Sequence, residues 1–243
     1  MMGIWIATFI GFMAGVGGTG AGGLYIFFIK DAMRRRMSDI LGFSGGIMLV
    51  AVFLELVPEA LAISGLIYTM IGIIIGIMFL VISEWVIELL GPRHGSAETH
   101  FARAGIVLFL AITCHNFPEG LAIGGSYAAS SGLGFLMAVA LAVHNIPEGL
   151  AVAAAFRLSG RTPLRASVYA ALAGLPMGLG AMAGQVLGEI SPVLITISLG
   201  FAAGAMVYTT CEEILPDVFL VEQASSRGFI VGLILGTVFF NLI

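Results

Sequence analysis

The strongest constraint on this chain is that its apolar residues occur in long runs, separated by short breaks of charged and turn-forming residues. A helix needs about 20 mainly apolar residues to cross a bilayer, and dividing the sequence at its breaks gives eight such segments. The predicted spans are 4–29, 38–61, 66–90, 103–125, 132–156, 166–188, 193–215 and 228–243. Because backbone polar groups in lipid must be satisfied internally, we expect an all-α membrane protein in which residues 1–243 form one transmembrane domain.

The positions of the basic residues predict an orientation. All ten Lys and Arg lie at or beside the breaks after the first, third, fifth and seventh segments, and the other breaks contain none. The positive-inside rule places those four loops in the cytoplasm and both termini on the extracytoplasmic side. We therefore predict a multi-pass protein of the cell (inner) membrane.

Two of the apolar segments carry the same polar motif. His-Asn-Phe-Pro-Glu-Gly at 115–120 recurs 29 positions later as His-Asn-Ile-Pro-Glu-Gly at 144–149. A charged residue at mid-membrane costs roughly 2.5–3.5 kcal/mol on insertion scales. Since no Lys or Arg lies near Glu119 or Glu148 in the sequence, a metal ion or a proton is the expected counter-charge.

The spacing of the motif predicts a ligand set. Residues four apart share one face of a helix, so His115 lies beside Glu119 and His144 beside Glu148. The short connection between the two segments makes their helices antiparallel, so these faces can meet. Imidazole nitrogen combined with carboxylate oxygen suits zinc, iron, manganese and cobalt. We therefore predict that these four side chains bind a divalent metal on helices four and five.

The remaining motif residues have less specific roles. Asn116 and Asn145 lie about 100° round their helices and either face a second metal or hydrogen-bond the ligands from outside. Pro118 and Pro147 each remove a backbone donor, so local kinks are expected there. A packing kink with no contact to substrate is the alternative for the prolines.

A second repeat relates the two ends of the chain. Residues 46–59 align without a gap on residues 204–217, and a Met, a Glu, a Pro and an acid recur in register. The two segments run in opposite directions, which indicates a 3+2+3 inverted repeat with helices four and five between the halves. Coincidence between two Gly-rich apolar helices is the alternative. Glu55 then lies near the outer end of the path and Glu212 and Glu213 near its inner end, as entrance and exit.

At these residues the chain resembles the ZIP (Zrt-, Irt-like) divalent metal transporter family, most closely its bacterial ZupT-type branch. The resemblance covers the paired motif, the eight segments, the Gly-rich first segment and the neighbourhoods of Met48 and Glu213. It implies four primary ligands and two asparagines directed toward a second metal: His115, Glu119, His144, Glu148, Asn116 and Asn145. It also implies that Met48 contributes a thioether.

The chain departs from the family pattern on helix six. Family members often have Glu-Pro-Leu-Gly-Ala where this chain has Met177-Gly178-Leu179-Gly180-Ala181. Met177 thus replaces the carboxylate expected for a second metal, and the number of bound ions stays open.

These features predict a transporter that moves divalent transition metal into the cytoplasm, zinc first, then iron, manganese, cobalt or cadmium. The metal is the substrate, and no prosthetic group or nucleic-acid partner is expected. Small residues such as Gly42, Gly45 and Gly46 permit close helix packing and a homodimer. The alternative is an intramembrane metal-dependent hydrolase using the same His and Glu residues, although the sequence contains no His-Glu-x-x-His motif.

Overall fold

The computed structural model describes residues 2–28, 33–90, 97–187, 191–220 and 225–242, and in this part of the chain every regular element is a helix. Seven of the described helices are long and apolar enough to cross a membrane, and Arg227–Leu242 is a shorter apolar helix. The prediction of an all-α membrane protein is therefore confirmed. The side of the membrane on which the termini lie stays a prediction.

We number the helices α1 to α8 and list their segments. α1 contains Met2–Phe12 and Gly18–Tyr25, α2 contains Met33–Ala51 and Val57–Ser64, α3 is Leu66–Leu90, and α4 is Ala97–Ala129. α5 is Ser131–Leu158, α6 contains Pro163–Ala173 and Leu175–Leu187, α7 contains Pro192–Tyr208 and Leu215–Leu220, and α8 is Arg227–Leu242. The predicted spans lie close to these helices. α4 extends furthest beyond its predicted span of 103–125, because hydropathy marks the apolar part of a helix and not its hydrogen-bonded ends.

Three of the helices contain a π-helical turn, which the sequence analysis did not predict. These turns are Met13–Gly17 in α1, Val52–Leu56 in α2 and Thr209–Ile214 in α7. The turns in α2 and α7 occupy matching positions of the alignment between 46–59 and 204–217. The offset that aligns 46–59 with 204–217 also aligns the turn in α1 with Gly174, where α6 is interrupted. Helix irregularities therefore recur in the register of the inverted repeat.

The packing of helices follows the same repeat. α3 packs along α7, and α8 packs along α2. In the first pair Gly72 lies against the backbone carbonyl of Ile197, and in the second Gly228 lies against the carbonyl of Asp39. Ile197 and Asp39 are equivalent under the repeat alignment. Small residues let two backbones approach closely in a membrane, so in both pairs of helices a glycine lies against an equivalent backbone carbonyl.

Helices α4 and α5 form the centre of the bundle. α4 packs against α5, α6 and α7, while α5 packs against α1 and α2. Only Ser130, in an extended conformation, separates the two central helices, so the chain reverses direction abruptly between them. Both stay α-helical through Pro118 and Pro147. The changes of helix type lie instead in α1, α2 and α7, around the central pair.

Candidate metal site

The four predicted ligands converge between α4 and α5. His115 Nε2 lies 3.1 Å from each carboxylate oxygen of Glu148. His144 Nε2 lies 3.1 Å from Glu148 Oε1 and 3.8 Å from Glu119 Oε1. None of the four side chains is more than 1% exposed. Residues 29 positions apart in the sequence therefore form one buried group.

These separations are close to those in a metal site, although a complete ligand shell is not formed. Two ligands of a tetrahedral zinc ion, with bonds of about 2.0–2.2 Å, lie about 3.3–3.6 Å apart. Within the described ranges, however, no three His, Cys, Asp or Glu side chains are arranged as ligands of one common ion. Both imidazoles instead approach the carboxylate of Glu148, which lies between them.

Several polar atoms in this group have no hydrogen-bond partner among the described residues. They include both carboxylate oxygens of Glu119 and the Nδ1 atoms of His115 and His144. The Nε2 of His144 is 3.1 Å from Glu148, but its orientation does not make this contact a hydrogen bond. Buried polar atoms are normally paired, and an unpaired buried carboxylate is costly. Glu119 therefore presents two oxygens that a cation would stabilise.

The two motif asparagines are held by the helix irregularities. Asn116 Nδ2 donates to the carbonyl of Ala173, at 3.1 Å, just before the interruption of α6. Asn145 Nδ2 donates to the carbonyl of Ala14, at 3.3 Å, in the π-helical turn of α1. The Oδ1 atoms of both asparagines are buried, and no described residue hydrogen-bonds to them. Because the amide nitrogens are engaged, the oxygens are the atoms left to face a ligand.

The two methionines singled out in the sequence lie in different surroundings. Met177 is fully buried, and its Sδ lies 3.6 Å from Asn145 Nδ2. The residue that replaces the expected carboxylate therefore contacts one of the motif asparagines. Met48 is also fully buried and belongs to the hydrophobic core together with Ala51 and Val52. Its role as a thioether ligand stays a prediction.

The predicted pathway acids lie on the two equivalent π-helical turns. Glu55, in α2, interacts electrostatically with His144 and Glu119, and its buried Oε2 has no hydrogen-bond partner in the described part of the chain. Glu213, in α7, is 8% exposed and interacts electrostatically with Asp217. Its neighbour Glu212 is exposed. Glu55 thus interacts with the His and Glu group, and Glu213 interacts with Asp217, which is a member of a second polar group.

The sequence analysis missed this second group. It contains Glu84 of α3, His100 and Arg103 of α4, and Tyr208 and Asp217 of α7. Asp217 was the signal available, because the repeat aligns it with Glu59 in an apolar segment. Its partner on α4 could not be predicted, since the pairing depends on how three helices pack.

Comparisons with known proteins agree with this architecture. The sequence model of the family described as "ZIP Zinc transporter" matches residues 91–243. The zinc transporter ZupT of Chlorobium limicola is 34% identical, over 97% of this chain and 96% of its own length. The zinc transporter ZupT of Chlorobium luteolum is 33% identical, over 90% of this chain and 89% of its own length. This chain therefore belongs to the ZIP zinc transporter family.

Proposed function

We propose that this chain carries divalent transition-metal ions through the inner membrane into the cytoplasm. Zinc is the first substrate, and iron, manganese, cobalt and cadmium are further substrates. Two relatives that match nearly the whole chain are named as zinc transporters, which supports a transporter and not an enzyme. The apolar helices support a multi-pass membrane protein.

One observation carries the proposal of the site: Glu119 is fully buried, and neither of its carboxylate oxygens has a hydrogen-bond partner among the described residues. Glu148 and two imidazoles lie beside it. Two carboxylates balance the charge of one divalent cation, whereas a monovalent cation leaves one negative charge buried. The imidazoles favour a borderline metal over calcium or magnesium, which prefer oxygen ligands alone.

The placement of the acids supports a pathway for the ion. An ion passing Glu55 is already within electrostatic reach of His144 and Glu119. It exchanges its water for imidazole and carboxylate ligands, and Glu148 turns from the imidazoles toward the ion. The ion then leaves past Glu213 and Glu212. Alternate opening of the two ends fits the inverted repeat of the fold.

We further propose that the site holds one ion at a time. Met177, beside Asn145, brings no negative charge to the position where a second ion would lie. A second divalent cation would therefore add two buried positive charges without a carboxylate to balance them. The asparagine oxygens are then neutral contacts for the single ion or for its ligands.

Uptake into liposomes that contain a metal-sensitive dye tests the proposal. Glu119→Gln removes the buried charge and keeps the shape of the side chain, so zinc uptake should be lost. Glu98→Gln, an exposed position on the same helix, is the matched control and should transport normally. Zinc uptake by Glu119→Gln at the rate of the control would contradict the assignment of this site.

A further inference from the structure

The end of the bundle that carries Glu213 is joined by polar contacts between three helices. His100 Nε2 of α4 lies 2.7 Å from Asp217 Oδ1 of α7. The Arg103 guanidinium of α4 donates to the Glu84 carboxylate of α3. The Tyr208 hydroxyl of α7 donates to the other oxygen of Glu84, at 2.6 Å. We call these five side chains the polar latch.

The latch adds polar contacts between α4 and the pair formed by α3 and α7, which α4 also touches through apolar packing. α4 packs most extensively against α6 and α5, whereas α3 and α7 pack mainly against each other. The Tyr208 contact joins α3 to α7 within that pair. The contacts of His100 and Arg103 instead join α4 to the pair formed by α3 and α7.

The carboxylates of the latch are more shielded from solvent than their donors. The Asp217 side chain is 3% exposed and that of its partner His100 is 48% exposed, while the Glu84 side chain is 24% exposed and that of Arg103 is 35% exposed. Hydrogen bonds to ionised groups are roughly twice as strong as those between neutral groups. A buried carboxylate that loses its donor is left uncompensated. Separating α4 from α7 therefore requires another partner for Asp217.

At the opposite end of the bundle, the equivalent acids differ in their exposure to solvent. The repeat alignment pairs Glu55 with Glu213 and Glu59 with Asp217. Glu213 and Asp217 are buried, whereas Glu55 and Glu59 are partly exposed. The described residues place no hydrogen-bond donor on Glu55 Oε2.

The donors of the latch have no counterparts at that opposite end. The displacement that relates the two His-Asn motifs pairs His100 with Ala129 and Arg103 with Gly132. Neither Ala nor Gly carries a side-chain donor. The fold is thus repeated while the latch is present at one end only.

We propose that the polar latch is a releasable gate that holds the Glu213 end closed while the Glu55 end is accessible. This proposal rests on the transport function above, because an ion leaving past Glu213 requires α4 to part from α3 and α7. Opening of the gate requires the contacts of His100 and Arg103 to break.

Cysteine labelling tests the gate without any metal. Cys114 and Cys211 are replaced by Ala, and one reporter is introduced, either Glu213→Cys or Glu55→Cys. The rate of reaction with a charged maleimide is measured on the full chain in detergent, with and without His100→Gln. His100 is about half exposed, so this substitution is tolerated by the fold.

The gate predicts opposite changes at the two reporters. His100→Gln should raise the labelling rate at Glu213→Cys by about tenfold, the effect expected when one charged hydrogen bond is lost, and should lower the rate at Glu55→Cys. Arg103→Gln should act in the same direction. Glu98→Gln, on the same turn of α4, should change neither rate.

Two results would overturn the gate. One is an unchanged rate at Glu213→Cys in both latch variants. The other is a rise at both reporters together, because general loosening exposes both ends. The outcome is separable from the proposed function: reciprocal labelling in a protein without metal uptake refutes transport alone, and normal uptake without reciprocal labelling refutes the gate alone.

Discussion

His115 on α4 places its Nε2 3.1 Å from both carboxylate oxygens of Glu148 on α5. The equivalent contact in the other direction, from His144 to Glu119, is longer, at 3.8 Å. Two copies of one motif thus form unequal contacts. Both imidazoles approach Glu148, whereas neither carboxylate oxygen of Glu119 has a hydrogen-bond partner among the described residues.

This inequality predicts opposite effects of two similar substitutions on stability. Glu148→Gln weakens contacts with two imidazoles and should lower the free energy of unfolding by about 1.5–3 kcal/mol. Glu119→Gln removes a buried charge that has no hydrogen-bond partner among the described residues, and it should leave the stability unchanged or raise it. Thermal unfolding of metal-free protein in detergent measures both. A larger loss of stability for Glu119→Gln would show that Glu119 is the better-paired carboxylate.

Acid should inhibit uptake, because imidazoles and carboxylates bind metal only when they are deprotonated. We expect zinc uptake to fall as the external pH decreases from about 7.5 to 5, the range in which imidazole titrates. Protein-free liposomes with a zinc ionophore control for the response of the dye. An uptake rate that stays constant over this range would count against histidine ligands.

Close backbone packing around the central helices predicts a second stability effect. A methyl group on Gly149 of α5 would overlap the backbone carbonyl of Thr19 in α1. Gly149→Ala should therefore destabilise the protein by about 1–3 kcal/mol, as overpacking does. Gly125→Ala, on α4, is the matched control, since no atom lies within 4 Å of its added methyl group. Equal unfolding temperatures for the two variants would be incompatible with this contact.

The thioether of Met177 predicts the number of bound ions. We expect one zinc per chain in the natural protein and two in Met177→Glu, because the new carboxylate lies beside Asn145 and balances a second cation. Metal analysis after removal of free zinc gives the ratio. Met177→Leu should keep one ion. Two ions in the natural protein would refute the single-ion proposal.

The sequence predicted the helices and the convergence of the His and Glu side chains of the two motifs, because hydropathy and a four-residue spacing are local signals. The alignment of residues 46–59 with residues 204–217 also predicted the inverted repeat. The π-helical turns depend on packing between helices, and Val52–Leu56 contains no proline or glycine that would indicate one. The unequal sharing of Glu148 could not be predicted from two nearly identical motifs.

The contacts of the latch could likewise not be predicted from the sequence. His100 and Asp217 are 117 residues apart, and neither belongs to a recognisable motif. The repeat alignment identifies Asp217 as the equivalent of Glu59, but it cannot supply a donor that exists at only one end. Such pairings follow from tertiary packing.

Anomalous diffraction from crystals soaked with cadmium would locate an ion bound at the proposed site. We expect a peak between α4 and α5, within ligand distance of Glu119 and both motif histidines, and its loss in Glu119→Gln. No peak between these helices, or a peak that persists unchanged in Glu119→Gln, would contradict the proposed site.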